Sequence, residues 1–303
     1  MDTQQRTTSL FRDNESGRNE RLHYNWIKAD YFPESQYIVY PNVALQVIID
    51  SEYPAVKQEL PEVPPVFIDS LDIQWDQRNF FRNSSVDVCV FSKSDYLTHV
   101  GFEIDGPSHK RPARIKQDEL KDLLFAKAGI PLLRLEVDEC QTEREKRNNL
   151  EESIVRLKRG WQGFAEPLRD IGGRRVLFSE KEKEYFGLLK AAFPGDEYVV
   201  LPNVALQSIF PSWVRLKNYH ERNRRRTGLV DFCVLGAKDF RPVVAFFFSE
   251  DELRQRVCDF FGLRLVDLRA CLEGARLSSE DAIGRIQQTA IEVICGDPLG
   301  QGH

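Results

Sequence analysis

The sequence predicts an α/β protein built from two tandem units, each with a central mixed sheet flanked by helices. The first observation is a repeat, because the hexapeptide Pro-Asn-Val-Ala-Leu-Gln occurs at 41–46 and again at 202–207. The second is Val86-Asp-Val-Cys-Val90, which has the counterpart Val230-Asp-Phe-Cys-Val234. The third is the order of patterns in each half: helix, strands, helix, strand, helix. Motifs repeated in one order indicate the duplication of a unit of ~130 residues.

The elements of the first unit follow from hydrophobic periodicity. Apolar residues recur every three to four positions in a helix and alternate with polar ones along a half-buried strand. Pro33 is expected to end the first helix, and Gly129 to cap the helix before the last strand. The predicted elements are a helix at 18–31, strands at 37–49, 86–91 and 99–105, a helix at 117–128, a strand at 131–137 and a helix from Thr142.

Four segments are predicted along the chain. Residues 1–17 are polar and are expected to form a flexible arm, followed by the first unit at 18–160. A glycine-containing linker at 161–175 leads to the second unit at 176–297. Because this linker is short, we expect the two units to pack side by side as an internal pseudo-dimer.

Composition restricts the function classes. The net charge of −5 means that a nucleic-acid site must be a local basic patch and not the whole surface. None of the six cysteines is spaced as Cys-x-x-Cys, which argues against a zinc site. The N-terminus is polar, and no apolar run approaches the ~20 residues of a membrane helix. We therefore expect a cytoplasmic protein without a membrane partner.

Acidic residues are concentrated on two strands. Glu103 and Asp105 lie two positions apart, so their side chains share one face of a strand. Asp87 is the acid in the preceding apolar strand. If the strands are neighbours, these carboxylates converge, and like charges held together require a cation. Oxygen ligands of this kind suit Mg²⁺ or Mn²⁺, so the sequence predicts a metal site of Asp87, Glu103 and Asp105.

The motif Glu103-x-Asp-Gly-x-x-His109, with Val-Asp87 before it and Asp-x-x-Lys121, Ala-Gly-Ile-Pro and Leu-Leu-Arg after it, resembles the PD-(D/E)XK nuclease superfamily. The branch it is most similar to contains the very-short-patch-repair endonucleases and small bacterial relatives. The resemblance covers about 18–157 well and about 179–294 more weakly. It implies two restriction-endonuclease-like units and metal-dependent phosphodiester hydrolysis with Mg²⁺ or Mn²⁺.

Carried onto this chain, the resemblance makes Asp87 and Glu103 metal ligands, with the Ile104 carbonyl as a further candidate. Asp105 stands where the superfamily usually has the lysine that helps to orient the attacking water. Because that lysine is absent, three other residues are candidates for its role: His109, Lys116 and Lys121. His109 is favoured because the related branch has a histidine there. Glu20 of the first helix has two interpretations: it completes the pocket, as first-helix acids sometimes do in this superfamily, or it is a solvated helix residue, which is the favoured interpretation.

The second unit lacks the acidic pair. Phe247 falls opposite Glu103 and Ser249 opposite Asp105, while Asp231 matches Asp87. One carboxylate cannot hold a divalent cation tightly, so we predict an inactive second unit with a binding role. Basic residues that could contact phosphates form two runs: Lys110, Arg111, Arg114 and Lys116, and Arg222, Arg224, Arg225 and Arg226.

The function predicted from these features is a metal-dependent endonuclease whose expected substrate is DNA, with RNA as the alternative. The first unit would be active and the second would help to bind nucleic acid. Two alternatives are a non-catalytic nucleic-acid-binding protein and a protein-interaction scaffold on a retired nuclease fold. Metal binding separates the first interpretation from the other two.

Overall fold

The structure, a computed structural model, forms two compact units. It describes residues 9–11, 14–60, 77–107, 112–138, 140–163, 173, 175–210, 216, 220–221, 224–225, 228–249, 251–272 and 278–295. The first unit is Phe11–Leu177, and the second is Phe178–His303 together with Met1–Leu10.

The first unit contains a four-stranded mixed sheet. Its elements are α1 (Glu15–Trp26), a π turn (Ile27–Tyr31), β1 (Tyr37–Ala44), α2 (Leu45–Ile48), α3 (Pro54–Lys57), α4 (Gln77–Asn83), β2 (Ser85–Ser92), β3 (Thr98–Asp105), α5 (Pro112–Lys127), β4 (Leu132–Glu136) and α6 (Glu143–Gly163). The strand order is β1-β2-β3-β4, with antiparallel pairs except for β3 and β4. A parallel pair needs a crossover, and α5 provides it.

The second unit repeats this arrangement. Its elements are α7 (Glu180–Ala192), β5 (Tyr198–Ala205), α8 (Leu206–Ile209), β6 (Leu229–Gly236), β7 (Pro242–Phe247), α9 (Glu252–Phe261), β8 (Leu265–Asp267), α10 (Leu268–Leu272) and α11 (Ser279–Cys295). The order β5-β6-β7-β8 again ends in a parallel pair. The predicted class, two α/β units with mixed sheets flanked by helices, is confirmed.

The repeated Pro-Asn-Val-Ala-Leu-Gln segment ends the first strand of each sheet. Pro41 stays within β1 opposite Val88, which an edge strand tolerates although proline has no N–H to donate. Asn42 takes a left-handed backbone with φ of 53°, as its repeat partner Asn203 does with φ of 50°. The predicted strand end at 49 is wrong, because Leu45–Ile48 forms a helical turn that buries Leu45 and Ile48.

The predicted boundaries also shift. In the arm predicted at 1–17, Leu10 and Phe11 are buried and α1 begins at Glu15. In the linker predicted at 161–175, residues 161–163 continue α6, and the N–H of Arg175 donates to the carbonyl of Ile48 in the first unit. The other residues of both segments, apart from Ser9, Asn14–Gly17 and Gly173, lie outside the described residues. Among the described helices, none has the length and apolar character that crossing a membrane requires.

Candidate active site of the first unit

The two central strands bring Asp87 and Glu103 together. In the antiparallel pair of β2 and β3, Val88 lies opposite Phe102, and Asp87 and Glu103 are the next residues outward. Side chains of opposed residues lie on the same face of a sheet. Asp87 is partly exposed, whereas Glu103 is 1% exposed. The predicted neighbourhood of these two carboxylates is therefore present.

Lys121 reaches this pair from α5. Its Nζ lies 2.8 Å from Oε2 of Glu103 and donates to the carbonyl of Ser85 at 2.9 Å. The lysine is 4% exposed, so both members of the ion pair are buried. A charge removed from water is tolerated when it is paired and hydrogen-bonded, which both contacts achieve. Lys121, one of the three candidates for the role of the missing lysine, thus lies beside Glu103.

The Asp87 carboxylate is held against the edge of β3. Its Oδ2 accepts a hydrogen bond of 2.7 Å from the N–H of Ile104. Burial raises its pKa well above the usual range, and the negative charges of Glu103 and Glu20 raise it further, against the opposing effects of Lys121 and the Ile104 N–H. A carboxylate in this position gains from any additional positive charge.

Glu20 belongs to this acidic group, contrary to its interpretation as a solvated helix residue. It is partly buried on α1 and accepts a 3.0 Å hydrogen bond from Ser16. Glu182 has the corresponding effect on Asp231 in the second unit. Phe32 and Phe193 are equivalent residues of the repeat, each followed by a proline. Glu20 precedes Phe32 by 12 residues (32 − 20), whereas Glu182 precedes Phe193 by 11 residues (193 − 182). The π turn in the first unit accommodates the extra residue.

One oxygen of this pocket lacks a partner. Oε1 of Glu103 is buried and makes no hydrogen bond within the described part of the chain. A buried acceptor without a donor is costly, so an orphan of this kind calls for an explanation. Mg²⁺ is commonly held by one or two carboxylates, with waters and substrate phosphate oxygens as its other ligands. Asp87 and the free oxygen of Glu103 fit such an ion.

Asp105 does not join this pair, which corrects the predicted convergence of three acids. Its Oδ2 accepts a 2.9 Å hydrogen bond from Arg134, which lies opposite Glu103 in the parallel register of β3 and β4. Across the described ranges, no three His, Cys, Asp or Glu side chains are grouped as ligands of one metal ion. Asp105 is therefore a partner of an arginine and not part of a preformed metal cage.

Arg134 links β4 to β3 and α5. Besides Asp105, its guanidinium contacts Asp122 at 2.9 Å and Asp118 at 3.4 Å. Burial alone would lower its pKa, but the hydrogen bond and charge of Asp105 raise it, so the arginine stays protonated. These contacts fix the helix that carries Lys121. The same side chains border a groove of about 510 Å³ at the ends of β3 and β4.

At the equivalent place in the second unit, an arginine replaces the lysine. Arg254 of α9 matches Lys121 in the shared Asp-Glu-Leu-(Lys/Arg) sequence, and it is 3% exposed. Its Nη1 lies 3.7 Å from Oδ2 of Asp231, and the guanidinium lies 5.1 Å from the ring centre of Phe247. Asp231 accepts a 2.7 Å hydrogen bond from Phe248, as Asp87 does from Ile104. The aspartate and a cation remain, but the glutamate is gone.

The basic residues predicted to bind nucleic acid fall into three groups. Arg114 and Lys116 are exposed on α5, where charged side chains can contact phosphates. Arg224 forms an ion pair with Asp251, and Arg225 is 9% exposed. Both arginines are thus held within the unit, and their contact with nucleic acid stays a prediction. The other predicted basic residues lie outside the described residues: Lys110, Arg111, Arg222 and Arg226. His109 also lies outside them.

Arg134 is not among the site residues predicted from the sequence, and His109 is favoured there over Lys121 as the residue that orients the attacking water. The signal for Arg134 was its place in Leu-Leu-Arg on the strand that follows α5. Only the parallel register shows that this arginine lies opposite Glu103. The signal for Lys121 was the Asp-x-x-Lys spacing, which puts Asp118 and Lys121 one helical turn apart.

Comparison with known proteins gives one family match. Residues 73–154 match the model of a family described as "Protein of unknown function (DUF2726)". This segment contains Asp87, Glu103, Lys121 and Arg134, and it ends within α6. No curated protein and no solved structure matches the chain. The match therefore coincides with the candidate site but assigns no activity to it.

Proposed function

We propose that the protein is a metal-dependent nuclease whose first unit hydrolyses the phosphodiester bonds of DNA, and whose second unit is catalytically inactive. The observation that carries the proposal is the cluster of buried Glu103, buried Lys121 and partly exposed Asp87. Two carboxylates and a lysine on adjoining strands and the crossover helix are the groups that metal-assisted phosphate chemistry needs. The resemblance to the PD-(D/E)XK superfamily supports the same activity.

Each residue has a role in this proposal. Asp87 and the free Oε1 of Glu103 would hold Mg²⁺ or Mn²⁺, which supplies charge stabilisation at the scissile phosphate and activates water. Lys121 has three N–H donors, of which Glu103 and Ser85 use two. The third can donate to the attacking water or to a phosphate oxygen, which positions the reacting groups. Arg134 holds α5, and thereby Lys121, in place.

The second unit lacks these requirements among its described residues. Phe247 occupies the position of Glu103, so Asp231 has no carboxylate partner on the neighbouring strand. Arg254 already occupies the space beside Asp231. We propose that this unit has an architectural role in the chain.

The test is a cleavage assay with the full chain. Wild-type protein is incubated with duplex DNA, single-stranded DNA and RNA, each with Mg²⁺, with Mn²⁺ or with a chelator. We expect cleavage that needs the metal and that Asp87→Asn or Glu103→Gln abolishes. The matched control is Asp231→Asn, which removes the equivalent aspartate of the second unit and should leave cleavage unchanged.

The outcomes separate the candidate functions. Cleavage that survives Glu103→Gln in a folded protein would refute the assignment of the site. Binding of nucleic acid without cleavage under any of these conditions would favour the non-catalytic binding protein. Absence of both binding and cleavage would favour the protein-interaction scaffold.

A further inference from the structure

The pocket contains more carboxyl groups than basic side chains, and its basic side chain is supplied by the protein itself. Glu103 and Glu20 both raise the pKa of Asp87, after the larger effect of burial, and Lys121 contributes one ammonium group beside Glu103. The lysine touches Oε2 of Glu103, while Oε1 stays without a hydrogen bond within the described residues. A cation and an ammonium group would therefore share one glutamate.

We propose that Lys121 is the resident counter-ion of this site and that it keeps the affinity of Asp87 and Glu103 for a divalent cation low. Two positive charges a few ångströms apart repel each other, and the repulsion is poorly screened where water is excluded. The lysine thus makes the carboxylates tolerable without metal and weakens their hold on it. This inference rests on the proposed metal site and adds how that site is regulated.

The second unit supports the counter-ion role independently. There the glutamate is lost, yet a buried cation is retained in Arg254, 3.7 Å from Asp231. Arg254 donates to the carbonyl of Leu229 at 3.5 Å, the equivalent of the bond from Lys121 to Ser85. A cation that persists where no metal pair exists serves to neutralise the strand aspartate.

The consequence for metal loading is specific. With the lysine in place, two carboxylates and one ammonium group give a weak site that substrate phosphate oxygens complete. Without its charge, the same carboxylates form a stronger site even in the absence of substrate. The charge of Lys121, and not its length, sets this balance, so an arginine should preserve it and neutral side chains should not.

The experiment is calorimetric titration of the full-length protein with Mn²⁺ alone, without nucleic acid. We expect Lys121→Met and Lys121→Gln to bind Mn²⁺ at least about 10-fold more tightly than wild type, because a nearby repulsive charge is removed. Lys121→Arg should bind within a few-fold of wild type. Lys127→Met is the matched control, since Lys127 lies on the same helix but pairs with Glu59 at the surface. It should leave the affinity unchanged.

The readouts distinguish this inference from the proposed function. Equal or weaker Mn²⁺ binding by folded Lys121→Met and Lys121→Gln would overturn the counter-ion role. Absence of binding by every variant would overturn the metal site and the inference together. Tighter binding by the neutral variants in a protein that cleaves no nucleic acid would support the inference and refute the nuclease. Circular dichroism and thermal unfolding check that each variant is folded, and Lys121→Gln retains hydrogen-bonding capacity if methionine is not tolerated.

Discussion

The first unit pairs Lys121 with Glu103, whereas the second pairs Arg254 with Asp231 at the same place in the fold. Both cations come from the crossover helix and both reach a strand carbonyl, of Ser85 or of Leu229. The difference lies in the neighbouring strand, where a buried carboxylate in one unit is a phenylalanine ring in the other. The buried cation and its hydrogen bond to a strand carbonyl are therefore present whether or not the neighbouring strand carries a glutamate.

The second difference is the arginine network beside the pocket. In the first unit Arg134 joins Asp105 and Asp122. In the second unit, Asp267 stands at the position of Arg134, Ser249 at that of Asp105 and Gln255 at that of Asp122. The buried glutamate and the arginine network both occur in the first unit, and both are replaced in the second unit. The fold of the second unit therefore forms without Arg134 and without the buried glutamate.

The largest expected effect comes from breaking the buried ion pair of the first unit. Glu103→Leu leaves Lys121 buried without its carboxylate, which should lower the free energy of unfolding by about 3–5 kcal/mol. Adding Lys121→Met should restore much of that loss, because two apolar side chains then replace the pair. Urea unfolding of the single and double variants measures both changes.

The matched change in the second unit is Phe247→Leu. Because Arg254 keeps its ion pair with Asp231 and loses only the contact of its guanidinium with the Phe247 ring, this variant should lose only about 1 kcal/mol, the size of an ordinary substitution. A loss in Phe247→Leu equal to that in Glu103→Leu would show that the two pockets are energetically alike, and the comparison would fail.

A smaller effect should appear in the response of the first unit to acid. His23 is 1% exposed on α1, with Nδ1 2.8 Å from the carbonyl of Asn19. Burial lowers its pKa, an effect that the Asn19 carbonyl opposes and the charge of Lys146 reinforces. Because the unfolded chain binds this proton more readily, stability is retained above the ordinary histidine value of about 6.5 and is lost as pH falls below it.

The free energy of unfolding is expected to fall by up to about 1.4 kcal/mol per pH unit between the ordinary pKa of histidine and the lowered pKa of His23. His23→Gln should reduce this slope, and fluorescence of Trp26, whose ring centre is 5.3 Å from that of His23, can report unfolding of the first unit. By the spacing that relates Glu20 to Glu182, the second unit has Tyr185 and not a histidine at this position. An identical pH slope in wild type and His23→Gln would contradict the account.

Much of the fold was predictable because the patterns are local. Alternation along 86–91 and 99–105 identified the two central strands, and the repeat of Pro-Asn-Val-Ala-Leu-Gln located the second copy. The structure confirms both four-stranded mixed sheets. The helical turn that begins at the leucine of each hexapeptide is not predicted, because the four residues Leu-Gln-Val-Ile and Leu-Gln-Ser-Ile are too few to show a helical period.

The candidate site was predictable only in part, because its partners depend on pairing between distant elements. The alternation rule placed Glu103 and Asp105 on one face correctly, but it could not show that Arg134 takes Asp105. The arginine run of the second unit was interpreted from its charge alone. Burial of Arg225 and pairing of Arg224 with Asp251 are tertiary properties that composition does not contain.

The most direct test of the account is to locate the metal in crystals of the full chain soaked in Mn²⁺, using anomalous diffraction. The account predicts an anomalous peak in the first unit, within ligand distance of Asp87 and Oε1 of Glu103, and none beside Asp231 in the second. Crystals of Glu103→Gln soaked in parallel should lose the first peak. Peaks of similar height at Asp87 and Asp231, or no peak at Asp87 in wild type, would contradict the central claim that the first unit holds the metal.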